Sequence, residues 1–403
     1  MYGLKKAYYR TFQAVFNIGA RVLPWRKAVV TDGAGAIGKI PSLLSKLGTT
    51  KPMVVTDPGL MDAGVSPRIL KLLEENNVPH ALFAKVEPNP SVNTVNEIFA
   101  QYLENGCDSF IAIGGGSAMD AAKAAAARVA RPRKSVQNLG GLLRVLKKLP
   151  PFIAIPTTAG TGSETTIAAL ITDTDTHHKY AIMDLALIPR YAVLDPELTT
   201  GLPPHITAAT GMDALTHAVE AYLCWTYNTK ESLRFAEQAV EIIFKNLPKV
   251  YKNGGDVEAR ANMLTASYKA GFAFTRAGVG NIHAIAHTLG GLYNTPHGVA
   301  NAAILPVVLE DYGEKVYPKL AKLARFAGIA SDESDAASAK AFIAAIKKFN
   351  SDMKIPESFD FIQDDDIPQM IKWANAEANP IYPVPVVYDQ ARFNAVIQKI
   401  RTP

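Results

Sequence analysis

The chain has 403 residues, 48% of them hydrophobic and 20% charged, which suits a soluble globular protein large enough to form two domains. A formal net charge of +5 is weak for a nucleic-acid binder of this size, and no apolar run approaches the ~20 residues needed to span a bilayer. Cys107 and Cys224 stand in neither C-x-x-C nor C-x-x-H spacing and read as buried free thiols in a reducing, cytoplasmic compartment.

The positive charge is concentrated at the start. Residues 1–27 carry Lys5, Lys6, Arg10, Arg21, Arg26 and Lys27 and no acid, which leaves the rest of the chain nearly neutral. Tyr8, Tyr9, Phe12, Val15 and Phe16 recur there at roughly helical spacing. A presequence and a membrane-surface helix both fit this pattern. The plainer expectation is a helical extension packed on the body.

From residue 28 to about 200, short apolar runs end in glycine turns and alternate with helical stretches. Lys27–Thr31 and Met53–Thr56 run into Asp-Gly and Asp-Pro-Gly. Ser109–Ile113 runs into Gly-Gly-Gly-Ser, and Pro151–Ile155 into Pro-Thr-Thr-Ala-Gly-Thr-Gly-Ser. Helices are predicted near 40–47, 64–76, 92–105 and 118–129. This alternation predicts a parallel sheet in an α/β domain, with ligands expected at the carboxyl ends of its strands. After Pro203–Pro204 the strands stop. Amphipathic stretches at 205–224, 230–249, 255–278, 298–312, 335–349, 365–376 and 389–401 predict a helical domain. The expected division is therefore a basic extension at 1–27, an α/β domain at 28–203 and a helical domain at 204–403.

Two glycine turns compete as phosphate loops. Gly33-Ala-Gly-Ala-Ile-Gly38 matches G-x-G-x-x-G, with Asp57 about 20 residues on, but Asp32 puts a negative charge beside it. Gly114-Gly-Gly-Ser117 also joins a strand to a helix and has no acid before it. Its glycines allow close backbone approach, and the helix start offers free N–H groups. Composition favours Gly114–Ser117 without excluding the first loop. A third turn, Thr157–Ser163, adds hydroxyls after a neighbouring strand.

The helical half holds a concentration of metal-ligating side chains. Asp213 and His217 lie four apart, as do His283 and His287, and His297 follows ten residues later. Residues i and i+4 share one helix face. Four of the chain's eight histidines fall in this cluster, which reads as a divalent-metal site with five candidate ligands.

These segments together resemble the iron-containing (group III) alcohol dehydrogenase family. The resemblance rests on Gly114–Lys123, Pro156–Glu164, Gly211–His217 and His283–Gly290 continuing to Tyr293–His297, and it covers roughly residues 28–400. It implies a Rossmann-like N-terminal dinucleotide-binding domain with a parallel sheet and an all-α C-terminal domain. Dehydroquinate synthase shares this architecture. It also implies an active site in the cleft between the domains. By the same resemblance the metal ligands are Asp213, His217, His283 and His297. His287 is then left near the reacting centre for proton relay or substrate positioning. Gly115, Gly116 and Ser117 match the pyrophosphate loop. Thr157, Thr158 and Thr161 match cofactor-contacting positions, Lys179 a lysine beside the cofactor, and Asp57 the acid that holds the adenosine ribose. Asp120 falls in the matched cofactor segment, and Phe274 is counted with the substrate residues.

The implied activity is hydride transfer between a small alcohol or diol and NAD(H), with NAD preferred over NADP because Asp57 would repel a 2′-phosphate. The implied ion is Fe²⁺, with Zn²⁺ as the alternative. A homodimer or larger homo-oligomer is expected, without nucleic acid and without stable membrane insertion. The chain departs from many relatives at Phe274-Thr275-Arg276 and at Thr165, and Arg276 keeps a carboxylate or diol substrate in view. A hydroxyacid–oxoacid transhydrogenase and a dehydroquinate synthase-like lyase are the rival enzymes, and an inactive dinucleotide-binding scaffold is the non-enzyme rival. Lys179 follows His177 and His178 in a polar stretch, and His80, His177, His178 and His205 receive no role.

Overall fold

The computed structural model describes residues 2–174, 179–330 and 334–402; His177 and His178 lie outside them. Two compact units emerge. One comprises Met1–Leu23, Pro203–Asn253 and Lys269–Pro403, and the other Pro24–Leu202 and Gly254–Tyr268. The Val257–Ala277 helix contributes residues to both.

The α/β unit contains β1 (Val29–Asp32), β2 (Pro52–Val55), β3 (Ala81–Phe83), β4 (Ser109–Gly114), β5 (Gly141–Leu142), β6 (Phe152–Pro156), β7 (Ala168–Thr172), β8 (Lys179–Met183) and β9 (Tyr191–Leu194). Six of them form a sheet in the order β1-β9-β6-β4-β2-β3, parallel throughout. Both faces are covered. Phe110 and Ala112 of β4 join a core with Met53, Val95, Ile98 and Met119. Ile111 and Ile113 join the opposite core with Ile40, Leu44, Ile69 and Ile155. Burial on both sides explains why β2, β4 and β6 are apolar without alternation. Each large side chain so buried contributes about 1.5–3 kcal/mol.

The expected strands at 53–56, 109–113 and 151–155 and the helices Ile40–Leu47, Val65–Glu75, Val92–Glu104 and Gly116–Ala130 match the periodic reading. A second sheet, β5-β8-β7, was not anticipated. Its β7–β8 pair is antiparallel, an arrangement that a strand–turn–helix alternation does not suggest.

The helical unit is built around Pro204–Leu223, a helix buried on nearly all sides, as expected for a central element. Pro204 occupies its first turn, where a missing N–H costs nothing. Its neighbours approach closely where glycines permit. A Cβ on Gly211 would meet Leu247 Cδ1 at 2.4 Å, and one on Gly298 would meet the Ala209 carbonyl oxygen at 2.2 Å. The Gly298 contact lies beside His297 and sets how near the His297–Tyr312 helix comes to the central helix. Tyr317–Phe326 was missed by the sequence reading. Among the described residues, no helix is long and apolar enough to cross a membrane.

Candidate metal centre and cofactor loops

Within the helical unit, Asp213, His217, His283 and His297 each bring one ligand atom to a common point, and these atoms lie within 4.8 Å of one another. His217 Nε2 and His283 Nε2 are 2.9 Å apart. Asp213 Oδ1 is 3.5 Å from His297 Nε2 and 4.0 Å from His283 Nε2. Asp213, His217 and His283 are almost wholly buried. Burial, followed by the neighbouring imidazoles, holds His283 well below the ordinary imidazole pKa. It is therefore neutral, with a lone pair to offer. Ring nitrogens and a carboxylate oxygen converging at these distances form a donor set that a divalent cation fits.

Two residues missed by the sequence reading brace this set. Glu220, one turn beyond His217, accepts His283 Nδ1–H at 2.6 Å and the backbone N–H groups of Gly280 and Ile282 at 2.8 Å. Burial raises its carboxyl to about 8, while those N–H donors pull the other way. Accepting at Nδ1 leaves the His283 Nε2 lone pair aimed at the common point. Asn301, four residues after His297, directs its amide nitrogen to Asp213 Oδ1 at 2.8 Å and lies 3.1 Å from both His283 Nε2 and His297 Nε2. An acid and an amide on otherwise apolar helices were the available signals for both.

His287 sits differently. Its ring stacks on His297 with centroids 5.2 Å apart, and its Nδ1 contacts Glu377 Oε1 at 2.6 Å. Glu377 also accepts the Tyr382 hydroxyl at 2.7 Å. The Phe274 ring stacks on His217 at 4.1 Å. Arg276 is half-buried and near enough to Glu231 to feel its charge.

In the α/β unit, Gly114 ends β4 with φ +151° and Gly115 caps the Gly116–Ala130 helix. Because β4 pairs with β6, the two loops that follow them meet. A Cβ on Gly115 would lie 3.2 Å from Thr158 Oγ1, and one on Gly116 2.9 Å from Thr161 Cγ2. The Thr157 N–H donates to the Gly114 carbonyl at 3.1 Å, and Ser117 follows in the helix's first turn. Asp57 caps the short Pro58–Asp62 helix through the Leu60 N–H at 3.0 Å. Its Oδ2 lies 3.5 Å from where a Gly114 Cβ would be. This places Asp57 beside the glycine loop.

The rival loop is occupied from within. The Asp195 carboxylate accepts the N–H groups of Gly35 and Ile37 at 3.3 and 3.2 Å. The loop follows β1, at the far edge of the sheet. Asp120 accepts the Ser163 hydroxyl at 2.9 Å and the Leu170 N–H at 3.0 Å. Burial raises its pKa, opposed by Lys123 and Lys179. Lys123 is wholly buried and donates to Ser163 Oγ at 3.0 Å and Thr166 Oγ1 at 2.8 Å. Burial lowers it to about 8 and raises the adjacent Glu164 to about 7. Lys179 donates to Asn89 Oδ1 at 2.9 Å. His80 contacts the Val78 carbonyl at 3.1 Å, and His205 is exposed.

Residues 28–196 match the family model for iron-containing alcohol dehydrogenase, and residues 207–400 match the model of that family's C-terminal part. The chain belongs to the iron-containing alcohol dehydrogenase family. It is 38% identical over 334 residues to a protein of Bacillus methanolicus called NAD-dependent methanol dehydrogenase, covering 81% of this chain and 86% of that one. It is 38% identical over 363 residues to a 1,3-propanediol dehydrogenase of Klebsiella pneumoniae, covering 86% and 92%. The solved structure of an alcohol dehydrogenase from Oenococcus oeni superposes with a TM-score of 0.90 at 34% identity, covering 94% of this chain and all of that one.

Proposed function

We propose that this family member is a metal-dependent alcohol dehydrogenase, and in reverse an aldehyde reductase, transferring a hydride between a small alcohol or diol and NAD(H). The convergence of Asp213, His217, His283 and His297 in a chain of this family carries the reading. Those four residues would hold Fe²⁺, with Zn²⁺ the alternative for the same donor set. Such an ion supplies Lewis acidity toward an alcohol or carbonyl oxygen.

The chain's own residues supply the rest. Glu220 and Asn301 orient the ligand side chains, and the Phe274 ring shields His217 from water and forms an apolar surface for substrate. Because the Glu377 carboxylate only accepts hydrogen bonds, it keeps the proton of neutral His287 on Nδ1 and leaves the Nε2 lone pair free. His287 Nε2 takes the substrate hydroxyl proton, and Glu377 stabilises the imidazolium that results.

Gly115, Gly116 and Ser117 would take the cofactor pyrophosphate at a helix start, beside Thr157, Thr158 and Thr161. Asp57 would accept hydrogen bonds from the adenosine ribose. Lys179 would lie beside the cofactor, and Asp120 would act from the same segment by bracing Ser163. The free buried thiols Cys107 and Cys224 suit a cytoplasmic setting. A homodimer or larger assembly is supported by β1, an edge strand on which Val29 and Val30 are exposed.

The relatives described above are named dehydrogenases, which disfavours the transhydrogenase and lyase alternatives. The test is turnover by apoprotein loaded separately with Fe²⁺ and Zn²⁺, using short aldehydes with NADH and NADPH. Metal-dependent oxidation of NADH is expected, and inactivity with both ions would sink the reading. Asp57→Gly should narrow the preference for NADH at least about tenfold, since an unscreened charge pair near a surface is worth a few kcal/mol. An unchanged ratio would remove Asp57 from cofactor selection.

A further inference from the structure

The Tyr2–Arg21 helix precedes the first residue matched by the family models, and its inner face is docked. Gln13 is wholly buried. Its amide donates to the Pro380 and Tyr382 carbonyls at 2.8 Å and accepts Trp225 Nε1–H at 2.6 Å. Asn17 donates to the Thr226 carbonyl at 2.8 Å, Phe16 packs on Tyr227 at 5.4 Å, and Arg10 lies over Trp225 at 4.8 Å.

The opposite face is apolar and open. Leu4, Tyr8, Val15, Ile18 and, just past the helix end, Val22 follow one another at intervals of three, four or seven residues, which places them in a single stripe. They are between 60% and 83% exposed. Ala7, Thr11, Ala14 and Gly19 extend the uncharged surface, while the exposed Lys5 and Arg21 flank it on either side.

We infer that this outer face docks the protein on an anionic lipid surface. An apolar stripe between cationic flanks lies in the plane of a membrane, with the side chains in the acyl boundary and the lysines and arginines among acidic headgroups. The same stripe spacing could seat a second helix, but pairing needs complementary flanking charges. Residues 1–27 contain no acid, so two copies of this helix would set cation against cation. An anionic bilayer removes that repulsion. The fixed inner face would then hold the helical unit to that surface through this helix.

Flotation of the full chain with phosphatidylcholine vesicles, and with vesicles also containing phosphatidylglycerol, tests this. At low salt, at least about tenfold more protein should float with the anionic vesicles, because each basic residue near such a surface raises partitioning about fivefold. Val15→Glu/Ile18→Glu and Lys5→Glu/Arg21→Glu should each return binding to the phosphatidylcholine level, with turnover and circular dichroism unchanged. Equal recovery on both vesicles, or retained binding by either variant, would overturn the inference. So would a loss of oligomer mass in Val15→Glu/Ile18→Glu by light scattering, which would make a second copy the occupant.

Discussion

Asp213→Ala is expected to leave the helical content unchanged and to abolish both tight metal binding and turnover. Asp213 is the one carboxylate of the cluster and the shared neighbour of the three ligand imidazoles. On the proposed assignment, its removal takes away one of four ligands and the one carboxylate of the four-residue cluster among the described residues. Alanine favours the helix, so circular dichroism should be preserved. Metal content after dialysis should fall by more than the ~10–100-fold typical of losing an outer hydrogen-bond partner. Glu220→Gln supplies that milder comparison, since a glutamine keeps one accepting oxygen but turns its NH2 either on the Ile282 N–H or on the Gly280 and His283 N–H groups. Full turnover by Asp213→Ala would refute the ligand assignment.

His287→Gln should lower kcat about 10²–10⁴-fold, the usual contribution of a positioned general base, while metal content stays at the wild-type level. Glu377→Gln should produce a smaller fall, about tenfold, because the amide oxygen can still accept from Nδ1–H but no longer stabilises the imidazolium. Glu377→Asp should recover part of that loss, and a solvent isotope effect on kcat should grow in Glu377→Gln. If His287→Gln is impaired and Glu377→Gln is not, His287 works without the carboxylate. If neither changes kcat, proton handling lies elsewhere.

The parallel sheet was legible because β2, β4 and β6 are short apolar runs stopped by glycine or proline turns. The metal cluster was legible because i, i+4 spacing places Asp213 with His217, and His283 with His287, on single helix faces. The small β5-β8-β7 sheet was not, since its strands are short and partly polar. Glu220, Asn301 and Glu377 escaped for a different reason. Each is an ordinary polar residue on a helix, and its importance comes from a partner 63 to 90 positions away or on the next helix.

Local pattern thus specified element types, the glycine turns and the pool of ligand-bearing residues, because those depend on backbone periodicity and side-chain chemistry over a few residues. Folding decided which groups meet. The G-x-G-x-x-G loop looks available in one dimension, yet Asp195, 158 to 160 residues away, fills its N–H groups. Gly298 is one glycine among many until the Ala209 carbonyl is found 2.2 Å from its would-be Cβ, the close approach that lets His297 reach Asp213. Hydrogen bonding and close packing between distant segments are properties of three-dimensional contact, and residue spacing along the chain carries no record of them.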